Sequence, residues 1–249
     1  MQLDRIAAYW DLRADGYSAT IHEELAGAAG ETFRSALRAA MPKGERLDCL
    51  DMGCGPGFFT LLLNADGHNV TSADYSPDML ERTRRNCAEA GFEARTVRAD
   101  AQALPFADDS FDFICSRNLV WNLEDPERAY REWLRVLRPG GHMFVFDGNY
   151  YLHYTDAAYQ AAREAAAGGN RPGGHSTKGV DPAPIDEIAR TLPLSSKARP
   201  DWDEETLARI GFEDIRAERF MEDYTDPRTG KPGSIVRDFT IVCAKGARA

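Results

Sequence analysis

The chain has 249 residues, 43% hydrophobic and 28% charged, which is long enough to bury a full core and ordinary for a globular protein. A net charge of −10 and a pI near 5.0 argue against nucleic acid or an anionic membrane surface as the main partner. Five cysteines, an odd number without framework spacing, indicate reduced thiols in a cytoplasmic protein, and the chain shows neither a signal-peptide apolar core nor the roughly 18 apolar residues of a membrane span.

Residues 1–45 read as an N-terminal helical appendage. Ile6, Tyr9 and Trp10 fall at i, i+3 and i+4, and Phe33, Leu37 and Met41 recur every four positions until Pro42 and Gly44 stop the second helix. Trp10 and Tyr17 either close over a ligand held by the next segment or pack against the sheet.

That next segment, LDCLDMGCGPGFFT (residues 47–60), organises the rest. An apolar run leads into Gly53, Gly55 and Gly57 and then into a helix-like FFTLLL. This is a buried strand, a tight turn and a helix N-terminus, where glycine permits positive φ and lets a ligand approach without Cβ interference. Asp51 is an acid inside the apolar run.

The helix from Phe58 is expected to end at Gly67, and a strand over Val70–Ala73 ends in Asp74, 21 positions after Gly53. In a βαβ unit that spacing puts a carboxylate at the carboxyl end of the second strand, beside the glycine turn, where it can accept two hydrogen bonds from ribose hydroxyls. Ser76, followed by Pro77, is the better cap for the next helix, so Asp74 is left for a ligand. That helix runs to Gly91. A third strand, Ala94–Arg98, leads to Asp100 and Ala101, a carboxylate and a backbone N–H suited to the polar edge of an adenine.

FDFICS (111–116) reads as a fourth strand. Asp125 and Pro126 then start a helix with a stripe of Ala129, Tyr130, Trp133, Leu134 and Leu137, and Pro139, Gly140 and Gly141 turn the chain into a fifth strand, HMFVFD. Strand and helix alternate through five strands, which predicts an α/β fold with a doubly wound parallel sheet. Residues 148–200 break the rhythm: aromatic at first, helical next, then a loop, GGNRPGG, that reads as mobile. They are expected to form a lid on the acceptor side. A helix over DEETLARIGF and strands at Ile215–Met221 and Asp238–Ala244 follow. The whole reads as a single domain, divided into 1–45, a core at 46–147, an insertion at 148–200 and a C-terminal part at 201–249.

Four blocks, LDMGCGPGFFT, SADYSPDML, RADAQALPFADDSFDFI and LRVLRPGGHMFVFD, together resemble the class I (Rossmann-like) S-adenosylmethionine-dependent methyltransferases. The likeness is to the small-molecule branch that includes ubiquinone and menaquinone biosynthetic enzymes. It implies a mostly parallel seven-stranded sheet with its last strand antiparallel, S-adenosyl-L-methionine as cofactor and S-adenosyl-L-homocysteine as product. It further implies that Gly53, Gly55 and Gly57 lie beneath the methionine part of the cofactor and that Asp51 lies near the methionine amino group. Asp74 would bind the ribose, Tyr75 and Met79 flank the adenine, Asp100 contact the adenine amino group and Ala101 supply a backbone donor. The Asn118 carbonyl would meet the methionine amine, and Tyr17 would reach the cofactor from the N-terminal helices. A nicotinamide oxidoreductase is the natural rival, but its G-x-G-x-x-G fingerprint needs glycine at position 58, where this chain has Phe58.

Methyl transfer is an in-line displacement, so the protein must chiefly align the acceptor and exclude water, with a general base only for an acceptor that is protonated. Trp121 and Asn122 stand where relatives often carry histidines. His153, His175 and Asp147 remain as candidate bases. Trp10, Trp121, Tyr150 and Tyr154 are candidate acceptor contacts, although the tyrosines also suit simple packing within the lid. The sequence CSRN at the end of the fourth strand lacks the clustered acids of a metal site, so no metal is expected. The expected activity is metal-independent methylation of a small molecule. An RNA or protein methyltransferase, and a non-catalytic cofactor-binding module, are the alternatives. No nucleic-acid or membrane partner is expected, and oligomeric state is not legible.

Overall fold

The apolar run before the glycines forms a strand, β1 (Asp48–Met52), because its side chains find apolar partners on both faces. A computed structural model, which describes residues 2–167 and 179–247, places β1 between β2 and β4 in a seven-stranded sheet of order β3-β2-β1-β4-β5-β7-β6. The other strands are β2 (Asn69–Asp74), β3 (Arg95–Arg98), β4 (Phe111–Arg117), β5 (Leu137–Gly148), β6 (Phe212–Thr225) and β7 (Pro232–Lys245). The first five run parallel, and β7 lies antiparallel between β5 and β6, as the resemblance implied.

Both faces of the sheet are covered. Leu50, Met52, Ile114 and Val145 pack with Tyr130 and Trp133 of α5 (Pro126–Val136). Cys49, Phe113, Cys115 and Phe144 alternate onto the opposite face. There they meet Leu37 of α2 (Ala28–Ala40) and Phe58, Phe59 and Leu63 of α3 (Phe58–Ala65). This period of two on a doubly covered sheet makes the strands read as continuous apolar runs. The fully buried Trp133 alone is worth about 3–5 kcal/mol against alanine.

The capping signals act as expected. Ser76 Oγ accepts the Met79 N–H at 3.0 Å at the start of α4 (Pro77–Glu89), and Asp125 Oδ1 accepts the Arg128 N–H at 2.9 Å at the start of α5. α1 (Gln2–Ala26) and α2 form the N-terminal helical segment.

Two local expectations are corrected. The segment Pro139–Gly141 is not a turn before β5 but part of it. Leu137 already pairs with Phe111, and after a bulge His142 pairs with Phe113. The need is steric: a Cβ on Gly141 would sit 2.9 Å from the carbonyl oxygens of Arg138 and Asp112. β6 and β7 each reach 14 residues, because their mutual pairing continues to Thr225 and Pro232, past the end of β5. Between β5 and β6 the chain forms a 3-10 turn at Leu152–Tyr154, α6 (Ala157–Ala167), α7 (Ala183–Ala189), a second 3-10 turn at Pro193–Ser196 and α8 (Asp201–Ile210). The loop GGNRPGG and His175 lie outside the described residues. No helix among the described residues is long and apolar enough to cross a membrane.

Candidate functional site

The carboxyl ends of β1 to β4 open into a pocket of ≈ 720 Å³, counted with its open mouth, and α1 lies over it. Open α/β sheets bind ligands at this edge. Its floor is the glycine turn. Gly53 has φ +66°, and a Cβ there would lie 2.7 Å from Leu119 Cδ2; Gly55 has φ +52° and sits 3.5 Å, measured from such a Cβ, beneath the ring of Tyr17.

Asp51 lies beneath that floor rather than in the pocket wall. It is 2% exposed, and its Oδ2 accepts the Thr60 N–H at 2.8 Å and the Thr60 hydroxyl at 2.7 Å, a negative group tied to the first turn of α3. Burial pushes its carboxyl up to about 6, against the lowering effect of those hydrogen bonds.

Asp74 does line the pocket. Oδ2 accepts the Gly55 N–H at 2.9 Å and Oδ1 accepts the Ser76 N–H at 2.9 Å. A carboxylate has about four lone-pair sites, so these backbone contacts leave it capacity to accept from a ligand hydroxyl. Burial raises this carboxyl as well.

Tyr75, Met79, Asp100 and Ala101 continue the wall. Arg98 stacks 4.6 Å from the Tyr75 ring centroid, and the Tyr75 hydroxyl donates to Asp4 at 3.3 Å. Asp100 Oδ1 is held by the N–H of Gln102 at 2.9 Å and its side-chain amide at 3.0 Å, while the Ala101 carbonyl accepts the Trp133 indole N–H at 3.1 Å. Asn118, at φ +56°, is fixed on three sides. Tyr150 donates to Oδ1 at 2.7 Å, Nδ2 donates to the Tyr17 hydroxyl at 3.4 Å, and the carbonyl accepts the Trp121 indole N–H at 2.9 Å. One lone pair of that carbonyl is therefore already engaged.

Trp10 and Tyr17 both line the pocket, with ring centroids 6.0 Å apart. The helix carrying them is fastened to α4 by Asp11 on the Ser76 hydroxyl at 2.5 Å, by Asp15 with Arg82, and by the Asn86 amide on the Ser18 hydroxyl at 3.0 Å.

The acceptor-side candidates fall elsewhere. Trp121, Tyr150 and Tyr154 are outside the pocket wall and pack in an aromatic cluster, with Trp121 centroids 5.8 Å from Tyr150 and 5.2 Å from Tyr151. Trp10 joins the cluster to the pocket, 6.5 Å from Trp121. The His153 ring lies tilted against that of Tyr154, with centroids 4.3 Å apart, and meets Arg163. Asp147 is fully buried and bound to Arg199 at 2.8 Å, and it accepts the Trp121 N–H at 3.0 Å. Burial raises its carboxyl while Arg199 opposes the rise. Arg199 also binds Asp203, which accepts the Tyr130 hydroxyl at 2.6 Å.

Sequence reasoning did not place Arg117, Leu119 or Asn122 in the pocket wall, which all three line. An arginine ending the apolar strand FDFICSR was the available signal. A wider cleft opens at the amino ends of the strands, lined by Arg46, Asp48, His68, Asn69, Arg95 and Arg138. Arg138 there pairs with Asp48 and with Asp112, and the cleft faces away from the glycine turn. Among the described residues no three His, Cys, Asp or Glu side chains gather closely enough to hold a metal ion.

Residues 50–145 match the family model described as "Methyltransferase domain". A demethylmenaquinone methyltransferase of Thermus thermophilus is 39% identical over 116 residues, 46% of this chain and 52% of its own length. A malonyl-[acyl-carrier protein] O-methyltransferase of Erwinia pyrifoliae is 38% identical over 164 residues, 65% of this chain and 58% of its own. The chain thus spans about half the length of the curated relatives it matches. Among solved structures, a SAM-dependent methyltransferase of Thermotoga maritima aligns with a TM-score of 0.60 at 17% identity, covering 96% of this chain and 99% of that one. The resemblance read from the four blocks holds: the fold is that of class I methyltransferases.

Proposed function

We propose that this chain, whose residues 50–145 form an S-adenosylmethionine-dependent methyltransferase domain, methylates a small-molecule acceptor by in-line displacement and without a metal ion. The observation that carries the reading is Asp74, set at the end of β2 over the glycine turn, in one pocket with Asp100 and Ala101. The residues present suit the cofactor, because the floor is built from glycines where a side chain would intrude and the wall keeps polar groups at the right strand ends.

The cofactor supplies a methyl group on a positively charged sulfur that is already a good leaving group, so no Lewis acid is required. Asp74 would receive the ribose hydroxyls, Tyr75 and Met79 enclose the adenine, and Asp100 and Ala101 read its edge. The glycine turn would lie under the methionine part, with Asp51 below it and the Asn118 carbonyl beside it. Trp10 and Tyr17, carried by α1, would exclude water, which strengthens alignment of acceptor and methyl. We assign the acceptor side to residues 148–200 and the roof to residues 1–45. The acceptor class is supported by a relative named for demethylmenaquinone. All five cysteines are free and buried, in keeping with a reducing, cytoplasmic setting.

The test is methyl-labelled cofactor incubated with the protein and, separately, a metabolite extract, tRNA and protein, with and without EDTA. Label is expected in the metabolite fraction and unaffected by EDTA. Label in tRNA or protein would overturn the acceptor class, and loss with EDTA would overturn metal independence.

A second reading, a non-catalytic cofactor-binding module, is favoured by one observation: the rings of Trp121, Tyr150 and Tyr151 pack on one another. Product-analogue binding without label transfer to any fraction would favour it.

A further inference from the structure

At the carboxyl end of β4 and in the loop after it, Arg117 Nε and Nη1 and Asn122 Oδ1 are buried side-chain atoms left without a hydrogen-bond partner among the described residues, as is Ser116 Oγ on the opposite face of the strand. Buried polar groups are nearly always paired, so the two unmet donor atoms of Arg117 call for an acceptor that arrives from outside. Arg117 and Asn122 line the pocket, and Arg117 is the charged one.

The Arg117 side chain is 9% exposed and rigidly placed. Nη2 donates to Glu24 Oε2 at 2.8 Å, and the guanidinium lies 4.2 Å from the Phe58 ring centroid and 5.1 Å from that of Phe33. Glu24 keeps the charge balanced and the group oriented, yet two donors remain unmet. The strand register gives these donors a direction. Ser116 pairs with Met52, so Arg117 stands level with Gly53, on the side of the glycine turn away from Asp74. A ligand whose ribose lies at Asp74 and whose chain crosses the glycine turn ends at Arg117.

We propose that Arg117 receives a carboxylate at this end of the pocket, belonging either to the methionine part of the cofactor or to the acceptor. The proposal rests on the cofactor reading above. A guanidinium is suited to the task because it cannot lose its proton and its hydrogen bonds to carboxylate are charge-assisted.

The experiment is calorimetric titration of the full chain and of Arg117→Gln with three probes. These are S-adenosylhomocysteine, its decarboxylated analogue S-adenosyl-3-thiopropylamine, and benzoate added to protein saturated with S-adenosylhomocysteine. Arg117→Gln is expected to weaken S-adenosylhomocysteine binding about tenfold or more and to leave the analogue unchanged, which assigns the carboxylate to the cofactor. Unchanged S-adenosylhomocysteine binding, with benzoate bound by the natural chain and lost in the variant, assigns it to the acceptor. Equal losses for S-adenosylhomocysteine and the analogue, or no loss for any probe, overturn the proposal. If Arg117→Gln does not fold, Arg117→Lys serves: retained charge is expected to preserve the preference for S-adenosylhomocysteine over the analogue, and loss of analogue binding as well would overturn the assignment. A natural chain that binds neither adenosyl probe brings down the cofactor reading itself, whereas normal binding with an indifferent variant brings down this proposal alone.

Discussion

Asp74 Oδ2 accepts the Gly55 N–H at 2.9 Å, so the acid that ends β2 also fastens the glycine turn that ends β1. The proposed ribose ligand and the shape of the floor are thereby coupled in one side chain. Asp74→Ala is expected to weaken S-adenosylhomocysteine binding by roughly 1.5–3 kcal/mol, the range for hydrogen bonds to a charged group. It should also lower the melting temperature, because the N–H groups of Gly55 and Ser76 lose their acceptor. Unchanged affinity by calorimetry would contradict the ribose role.

Much of this pocket was legible because its signals are local. The glycines, Asp74, the Ser76–Pro77 cap and the order of strands and helices are decided by short-range sterics and spacing. What escaped the reading was decided by distant partners. The Pro139–Gly141 segment looks like a turn until β4 pairs with it. The long β6–β7 ribbon depends on two strands finding each other. Arg117 became a site residue only when Glu24, Phe33 and Phe58, remote in sequence, surrounded it. Asp147 read as a free candidate base because Arg199, its buried counter-ion, lies 52 positions away.

Asp51 makes stability depend on pH in an unusual direction for an aspartate. Its carboxyl is raised from an ordinary 3.8 to about 6 by burial, so between those values the folded chain holds a proton that the unfolded chain has released. Stability therefore falls as pH rises through this window, by up to about 3 kcal/mol from this group. Urea unfolding from pH 4 to pH 7 is expected to show the natural chain losing stability relative to Asp51→Asn as pH rises. A stability difference that stays constant across that range would contradict the buried, raised carboxyl.

Arg199 stands between two buried acids, Asp147 and Asp203, at 2.8 Å from each. Arg199→Met would strand both without a counter-ion and is expected to cost about 3–5 kcal/mol of unfolding free energy. Adding Asp147→Asn and Asp203→Asn should recover part of that loss. Denaturant midpoints of the single and triple variants check this, and a triple variant no more stable than the single one would show that charge is not the issue.

Two glycines with left-handed backbone separate strain from intrusion. A Cβ on Gly67, at φ +86°, would meet nothing within 4 Å, whereas a Cβ on Gly53, at φ +66°, would press on Leu119 at 2.7 Å. Gly67→Ala is expected to cost about 1–2 kcal/mol of stability through backbone strain alone and to leave ligand affinity untouched. Gly53→Ala should cost more and also weaken S-adenosylhomocysteine binding, since Leu119 is pocket wall. Equal effects of the two on calorimetry and melting would place the pocket floor elsewhere.

The most direct measurement is a crystal structure of the chain with S-adenosylhomocysteine. The ribose hydroxyls are expected on the Asp74 carboxylate, the adenine edge at Asp100 and Ala101, and the homocysteine chain crossing Gly53 and Gly55 toward Arg117. A ligand bound in the cleft at the amino ends of the strands, or one in this pocket with its ribose away from Asp74, would contradict it.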